Sequence, residues 1–105
     1  MACSYVYFIT DGNGHIKIGK ADDVMERLAE LQTGNPYKLS VVLNVIMPTK
    51  TKAFNLEKEL HNKFKRFSLE GEWFMEEPVL DLIDTEIVEI GNFKFGGIKY
   101  GKQEI

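Results

Sequence analysis

Apolar and polar positions follow two different periods along the 105-residue chain, and the changes between them mark its elements. Tyr5-Val6-Tyr7-Phe8-Ile9-Thr10 is a run of aromatic and β-branched residues and reads as a strand. Asp11-Gly12-Asn13-Gly14 supplies residues that accept the positive φ of a tight turn. His15-Ile16-Lys17-Ile18-Gly19 alternates at period two, so the two segments predict a hairpin. Helical spacing begins at Val24. Val24, Leu28 and Leu31 share one face, Asp22 or Asp23 is placed to cap it, and Gly34 and Pro36 stop it after Gln32. Leu39 to Met47 is apolar apart from Ser40 and Asn44 and predicts a buried strand, which Pro48 ends. A second helix is predicted from about Thr51 to Arg66, with the core-facing stripe Ala53, Leu56, Leu60, Phe64 and Phe67. Glu70-Gly71-Glu72-Trp73-Phe74 reads as a turn leading to two large aromatics. Pro78 to Ile83 reads as one or two helical turns, Glu86 to Ile90 as a short strand, and Gly91 to Ile105 as a loose hairpin or frayed end.

Hairpin, helix, strand, helix is a β-β-α-β-α core with mostly antiparallel pairing, which is an α+β architecture. The length suits one domain, burying about 65% of its unfolded surface. Composition is near the globular average, at 44% apolar and 28% charged, which excludes collagen-like and disordered classes. No apolar run approaches the ~20 residues of a membrane span, and Met1 to Thr10 has no basic stretch for a signal peptide. The single cysteine, Cys3, has no internal disulfide partner, so a reduced, cytoplasmic setting and no membrane contact are expected. The net charge of −3 is unevenly placed. Residues 1–75 carry ten Lys/Arg against nine Asp/Glu, and residues 76–105 carry three against seven. Any phosphate-facing surface must therefore be local. Lys17 and Lys20 are one candidate patch, and Lys58, Lys63, Lys65 and Arg66 another.

Singly, the polar residues have ordinary readings. Lys17 and Lys20 suit a solvated surface, Arg27 can pair with Asp23 one turn back, and Glu57 suits an exposed helix face. His61, one turn after Glu57, reads either as a satisfied, partly buried histidine or as a second base near neutrality. A zinc pair at Glu57 and His61 is set aside for want of a third ligand nearby in sequence. Trp73 and Phe74 read as core. In order, however, a tyrosine, a lysine, an arginine and a glutamate are the parts that phosphodiester cleavage needs: a base near water, positive charge on phosphate, and a carboxylate for a cation.

That ordered set resembles the GIY-YIG nucleases. Tyr5-Val6-Tyr7 stands where GIY is expected and Lys17-Ile18-Gly19 where YIG is expected, with Arg27 on the first helix and Glu57 on the later one. The run Leu31-Gln32-Thr33-Gly34-Asn35-Pro36, the helix Glu57-x-x-Leu60-His61-x-x-Phe64 and Gly71-Glu72-Trp73-Phe74 resemble a compact, phage-associated branch. The resemblance covers about Tyr5 to Phe74. It implies a small three-stranded antiparallel sheet flanked by helices, with residues 1–75 as the nuclease-like domain and 76–105 as an extension packing on it or trailing from it. It also implies a one-metal active site. Tyr7 would act as, or hold, the general base, and Arg27 would stabilise charge on the phosphate. Glu57 would hold a single Mg²⁺ or Mn²⁺ through water and substrate oxygens. Two residues depart from the motif: Tyr5 replaces its opening glycine and Lys17 its second tyrosine. An ammonium donates but does not accept, so Lys17 either helps catalysis through its charge or marks a site that binds phosphate without cutting it.

The expected activity is a metal-dependent DNA endonuclease or nickase of low intrinsic specificity, with RNA left open and a partner protein as a source of specificity. Tyr7, Lys17, Arg27 and His61 are its catalytic candidates, Glu57 its metal ligand, and Lys20, Lys63 and Arg66 its nucleic-acid contacts. The alternatives are a catalytically weak nucleic-acid-binding module of the same fold and a partner-binding adaptor using the acidic tail. The nuclease reading requires Tyr7, Lys17, Arg27 and Glu57 to converge on one concave surface, with His61 at its margin. Arg27 and Glu57 on opposite sides of the sheet would remove the nuclease reading outright.

Overall fold

The densest apolar run becomes an inner strand of a sheet, in a computed structural model that describes residues 3–85, 87–90 and 93–96, with side chains over 3–83. The chain runs β1 (Ser4–Thr10), β2 (His15–Ala21), α1 (Val24–Gln32), β3 (Ser40–Met47) and α2 (Lys50–Lys63). A 3₁₀ turn (Lys65–Phe67), β4 (Trp73–Met75), α3 (Glu76–Thr85) and a hairpin of β5 (Ile87–Ile90) and β6 (Phe93–Gly96) follow. The main sheet is antiparallel, in the order β3-β1-β2-β4. The α+β class is therefore as expected, while the expected three strands are corrected to four.

Both faces of β1 are covered, which is why its apolar residues run on without alternating with polar ones. Val6 and Phe8 face a core shared with Ile16 and Ile18 of β2, Ala53, Leu56 and Leu60 of α2, and Val79 and Ile83 of α3. Tyr7 and Ile9 face the other way, onto Val24, Leu28 and Leu31 of α1. The two helices predicted as amphipathic thus lie on opposite faces of the sheet. Each has a side-chain cap: Asp23 accepts from the Glu26 amide at 3.0 Å and Thr49 from the Lys52 amide at 3.1 Å. The second helix stops at Lys63, where the chain tightens into the 3₁₀ turn, three residues short of the expected Arg66.

The fourth strand is the stretch expected as a turn before two aromatics. Gly71 makes that turn at φ 61°, and Trp73 to Met75 then pair with Lys17 to His15. Their contribution is to the outer edge of β2, whose backbone groups would otherwise lack partners. The β4 ladder covers β2 only as far as Lys17. Beyond it, the Ile18 amide donates to the Glu72 carbonyl at 3.1 Å, and no further strand pairs with this side of Gly19 to Ala21 among the described residues. The strand expected after Glu86 is β5, and the expected tail hairpin includes β6; the part of that reading on 97–105 lies outside the described residues. Among the described residues, no helix is long and apolar enough to cross a membrane.

Candidate functional site

The uncovered end of β2 is where the candidate residues gather. Tyr7 of β1 lies opposite Gly19 of β2, and its phenol ring occupies the place where a β-carbon on residue 19 would project. Gly19 is required here by this close approach, which leaves no room for a side chain. Tyr7 is fully buried on the α1 face. Burial pushes its phenol above the ordinary tyrosine range, the Arg27 guanidinium beside the hydroxyl partly offsets this, and the negative charges of Glu72 and Glu57 add to the rise. Arg27 reaches Tyr7 from α1 and also holds Glu30 at 3.3 Å. It does not pair with Asp23, whose side chain is committed to capping the helix.

Lys17 sits on the same face as Tyr7, since its register partner on β1 is Ile9. It is no solvated surface lysine: its side chain is 10% exposed. Its ammonium is 3.0 Å from a Glu72 oxygen and 5.8 Å from the centre of the Trp73 ring. The expected core role of the two aromatics divides accordingly. Phe74 is buried, while Trp73 is partly exposed and packs on the α1 side.

From α2, Glu57 and His61 approach the other side of this edge. The His61 Nε2–H donates to the Ile18 carbonyl at 2.7 Å, satisfying the group that β4 leaves unpaired, and the ring meets Phe74 edge-on at 5.0 Å. A carbonyl only accepts, so the proton is on Nε2 and Nδ1 carries the lone pair in the neutral ring. His61 is thus a partly buried histidine with a satisfied nitrogen. Glu57 is partly buried, and its carboxyl is pushed up first by that burial and then by Glu72, with His61, Lys20 and Lys17 pulling the other way. One ligand atom each from Glu57, His61 and Glu72 lies within 4.8 Å of the others. Glu72 is thus a third potential donor beside Glu57 and His61, one that the sequence pattern lacked. The sequence contains it beside Trp73, but its proximity to α2 arises only from folding.

The expected single concave surface is corrected. Arg27 and Glu57 belong to helices on opposite faces of the sheet, but both side chains act on the same Tyr7 phenol around the sheet edge, so the separation that would remove the nuclease reading applies to the helices and not to the side chains. Glu72 spans the edge, bonded to Lys17 on one side and grouped with Glu57 and His61 on the other. Lys20 is exposed and shares with Arg27 a groove of about 300 Å³, whose walls also carry Asp22, Asp23, Glu26 and Glu30. Lys63 and Arg66 are not brought to this cluster by any described bond. Lys63 points about 200° around α2 from His61, and Arg66 stacks on its neighbour Phe67 at 4.7 Å.

No curated protein and no solved structure matches the chain. A family model does, described as the T5orf172 domain, and it matches residues 3–90. The match runs beyond the Phe74 boundary of the motif resemblance to take in α3 and β5. With most of its length so matched, the chain belongs to the T5orf172 domain family.

Proposed function

We propose that this chain is a divalent-metal-dependent endonuclease that nicks DNA with low intrinsic sequence specificity. The observation that carries the reading is the meeting of Tyr7, Arg27, Lys17 and Glu57 around one free strand edge, in which both the Arg27 guanidinium and the Glu57 carboxylate act on the Tyr7 phenol. Its family is a phage-associated domain commonly linked to nuclease-like proteins, which agrees with this reading.

In this reading Arg27 stabilises the charge that grows on the phosphate, and Lys17 adds a second positive charge from the neighbouring strand. Burial disfavours a free phenolate on Tyr7, so the phenol keeps its proton; its oxygen accepts from Arg27, and its O–H holds the attacking water by hydrogen bond. Glu57 would hold a Mg²⁺ or Mn²⁺ ion, and such an ion would supply Lewis-acid stabilisation of the phosphate charge. A single partly buried carboxylate fits such an ion, because Mg²⁺ takes one or two carboxylates and keeps several waters. The molecule is acidic overall and four carboxylates line the Lys20–Arg27 groove, so DNA contact beyond the cleaved phosphate is weak and specificity comes from a partner.

Nicking of supercoiled plasmid in Mg²⁺ or Mn²⁺ tests this. Wild-type protein is expected to nick, and Glu57→Ala to abolish nicking with the fold retained. Binding of DNA with no nicking in either metal would instead support a catalytically weak binding module. The observation favouring that second reading is that Lys17, in place of the motif tyrosine, is already engaged by Glu72.

A further inference from the structure

Glu72 faces two ways. Its carboxylate holds the Lys17 ammonium at 3.0 Å, and it also offers an oxygen within 4.8 Å of ligand atoms on Glu57 and His61. His61 is prepared as a donor. Its Nε2–H is committed to the Ile18 carbonyl, which leaves the Nδ1 lone pair available, and Phe74 at its edge restricts the ring. Anchoring one ring nitrogen on a backbone carbonyl is the usual arrangement of a metal-ligating histidine. All three side chains are only partly buried, so an ion can reach them. Two carboxylates and an imidazole balance a divalent charge and make a mixed oxygen–nitrogen set. Such a set suits borderline transition ions, whereas Mg²⁺ takes oxygen and keeps its waters. Ligand atoms around such an ion lie about 2.0–2.2 Å from it. The Glu72 carboxylate that would supply one of them is engaged by the Lys17 ammonium, whose positive charge opposes a cation on the same group.

We propose that Glu57, His61 and Glu72 form a three-donor site for a borderline divalent transition ion, which Glu72 joins by leaving Lys17. The inference rests on the nuclease reading of this edge and deepens it: the ion that fills the site also frees the Lys17 ammonium for a phosphate. Loading of the ion and exposure of the phosphate-binding charge are then one event.

Calorimetric titration of the chelator-treated full chain with Zn²⁺ and with Mg²⁺ tests the site, and acetylation of Lys17 followed by mass spectrometry tests the exchange. Zn²⁺ is expected to bind one site more tightly than Mg²⁺. Glu72→Gln and His61→Ala are each expected to weaken Zn²⁺ by at least the roughly 10–100-fold that disturbing a second-layer partner costs. Lys17 labelling is expected to rise severalfold with saturating Zn²⁺ in the wild type and to be high with or without Zn²⁺ in Glu72→Gln. His61→Ala also strips the Ile18 carbonyl of its partner, so Glu72→Gln, which changes a side chain 39% exposed, is the deciding variant. Zn²⁺ no tighter than Mg²⁺, an unchanged affinity in Glu72→Gln, or Lys17 labelling indifferent to bound Zn²⁺ would overturn the proposal. None of these readouts involves cleavage. They can fail while Glu57-dependent plasmid nicking in Mg²⁺ succeeds, and the reverse, so the two readings are judged separately.

Discussion

Gly19 and Tyr7 form a matched pair in which the absence of one side chain makes room for the other. Gly19→Ala is therefore expected to cost about 1–3 kcal/mol, the usual penalty for forcing atoms into a packed place, and to shift the phenol away from Arg27. The penalty should be smaller in a Tyr7→Phe background, because the hydroxyl is the atom nearest the new methyl group. A four-protein cycle of urea melts measures this, and equal costs in both backgrounds would contradict it. Lys17 makes a sharper test of chemistry. Lys17→Met is expected to lower the nicking rate by about 10²-fold or more, as loss of one preorganised charge does, while Lys17→Tyr retains part of the rate through its hydroxyl. If Lys17 only holds phosphate, Lys17→Met will instead weaken DNA binding at low salt and reduce the salt slope by about one. The sequence revealed Lys17 as a departure from the motif but could not reveal its partner. Nothing in the local pattern at Glu72 points to Lys17 or to the helix that brings Glu57 and His61, and the ion pair exists only because β4 lies beside β2.

The elements divide by whether their signal is local. The hairpin and both helices are carried by turn residues, caps and spacing within each segment, and all were legible. Short strand β4 was not, since three residues hold no period and their pairing with β2 is decided by an edge that needs partners. The hairpin turn also has a local hydrogen-bonded lock at Asp11. Asp11 accepts from the amides of Asn13 at 2.8 Å and His15 at 3.2 Å, and its second oxygen accepts from His15 Nδ1 at 2.6 Å. Burial opposes the charge on Asp11, but these hydrogen bonds prevail and hold its carboxyl below the ordinary range. A group lowered on folding stabilises above its unfolded pKa and loses that contribution as pH falls through its folded value. Asp11→Ala is thus expected to cost about 1–2 kcal/mol near neutral pH. The difference from wild type should hold down to about pH 4, near the unfolded carboxyl value, and shrink below it. Melting both proteins across pH 2 to 7 checks this, and a gap that widens in acid would contradict it.

At the scale of the whole molecule, α3 is part of the core. Val79 and Ile83 of α3 are fully buried in the same cluster as Phe8, Ile18, Leu60 and Phe74. Ile83→Ala is therefore expected to cost about 2–5 kcal/mol, comparable to Leu60→Ala, in a single unfolding transition that also ends nicking. A loss of under about 1 kcal/mol would mean that α3 contributes little to the core. The motif resemblance stopped at Phe74 because α3 carries none of the chemistry, only apolar residues at helical spacing, a pattern shared by countless helices. The position of Trp73 has a consequence of a different kind. It is the chain's single tryptophan, and the Lys17 ammonium lies 5.8 Å from its ring. The protein thus carries one tryptophan, selectively excitable apart from its tyrosines, beside a charge at the site. Engagement of Lys17 by a phosphate can be followed as a change in the tryptophan emission, with no label attached and no cleavage required.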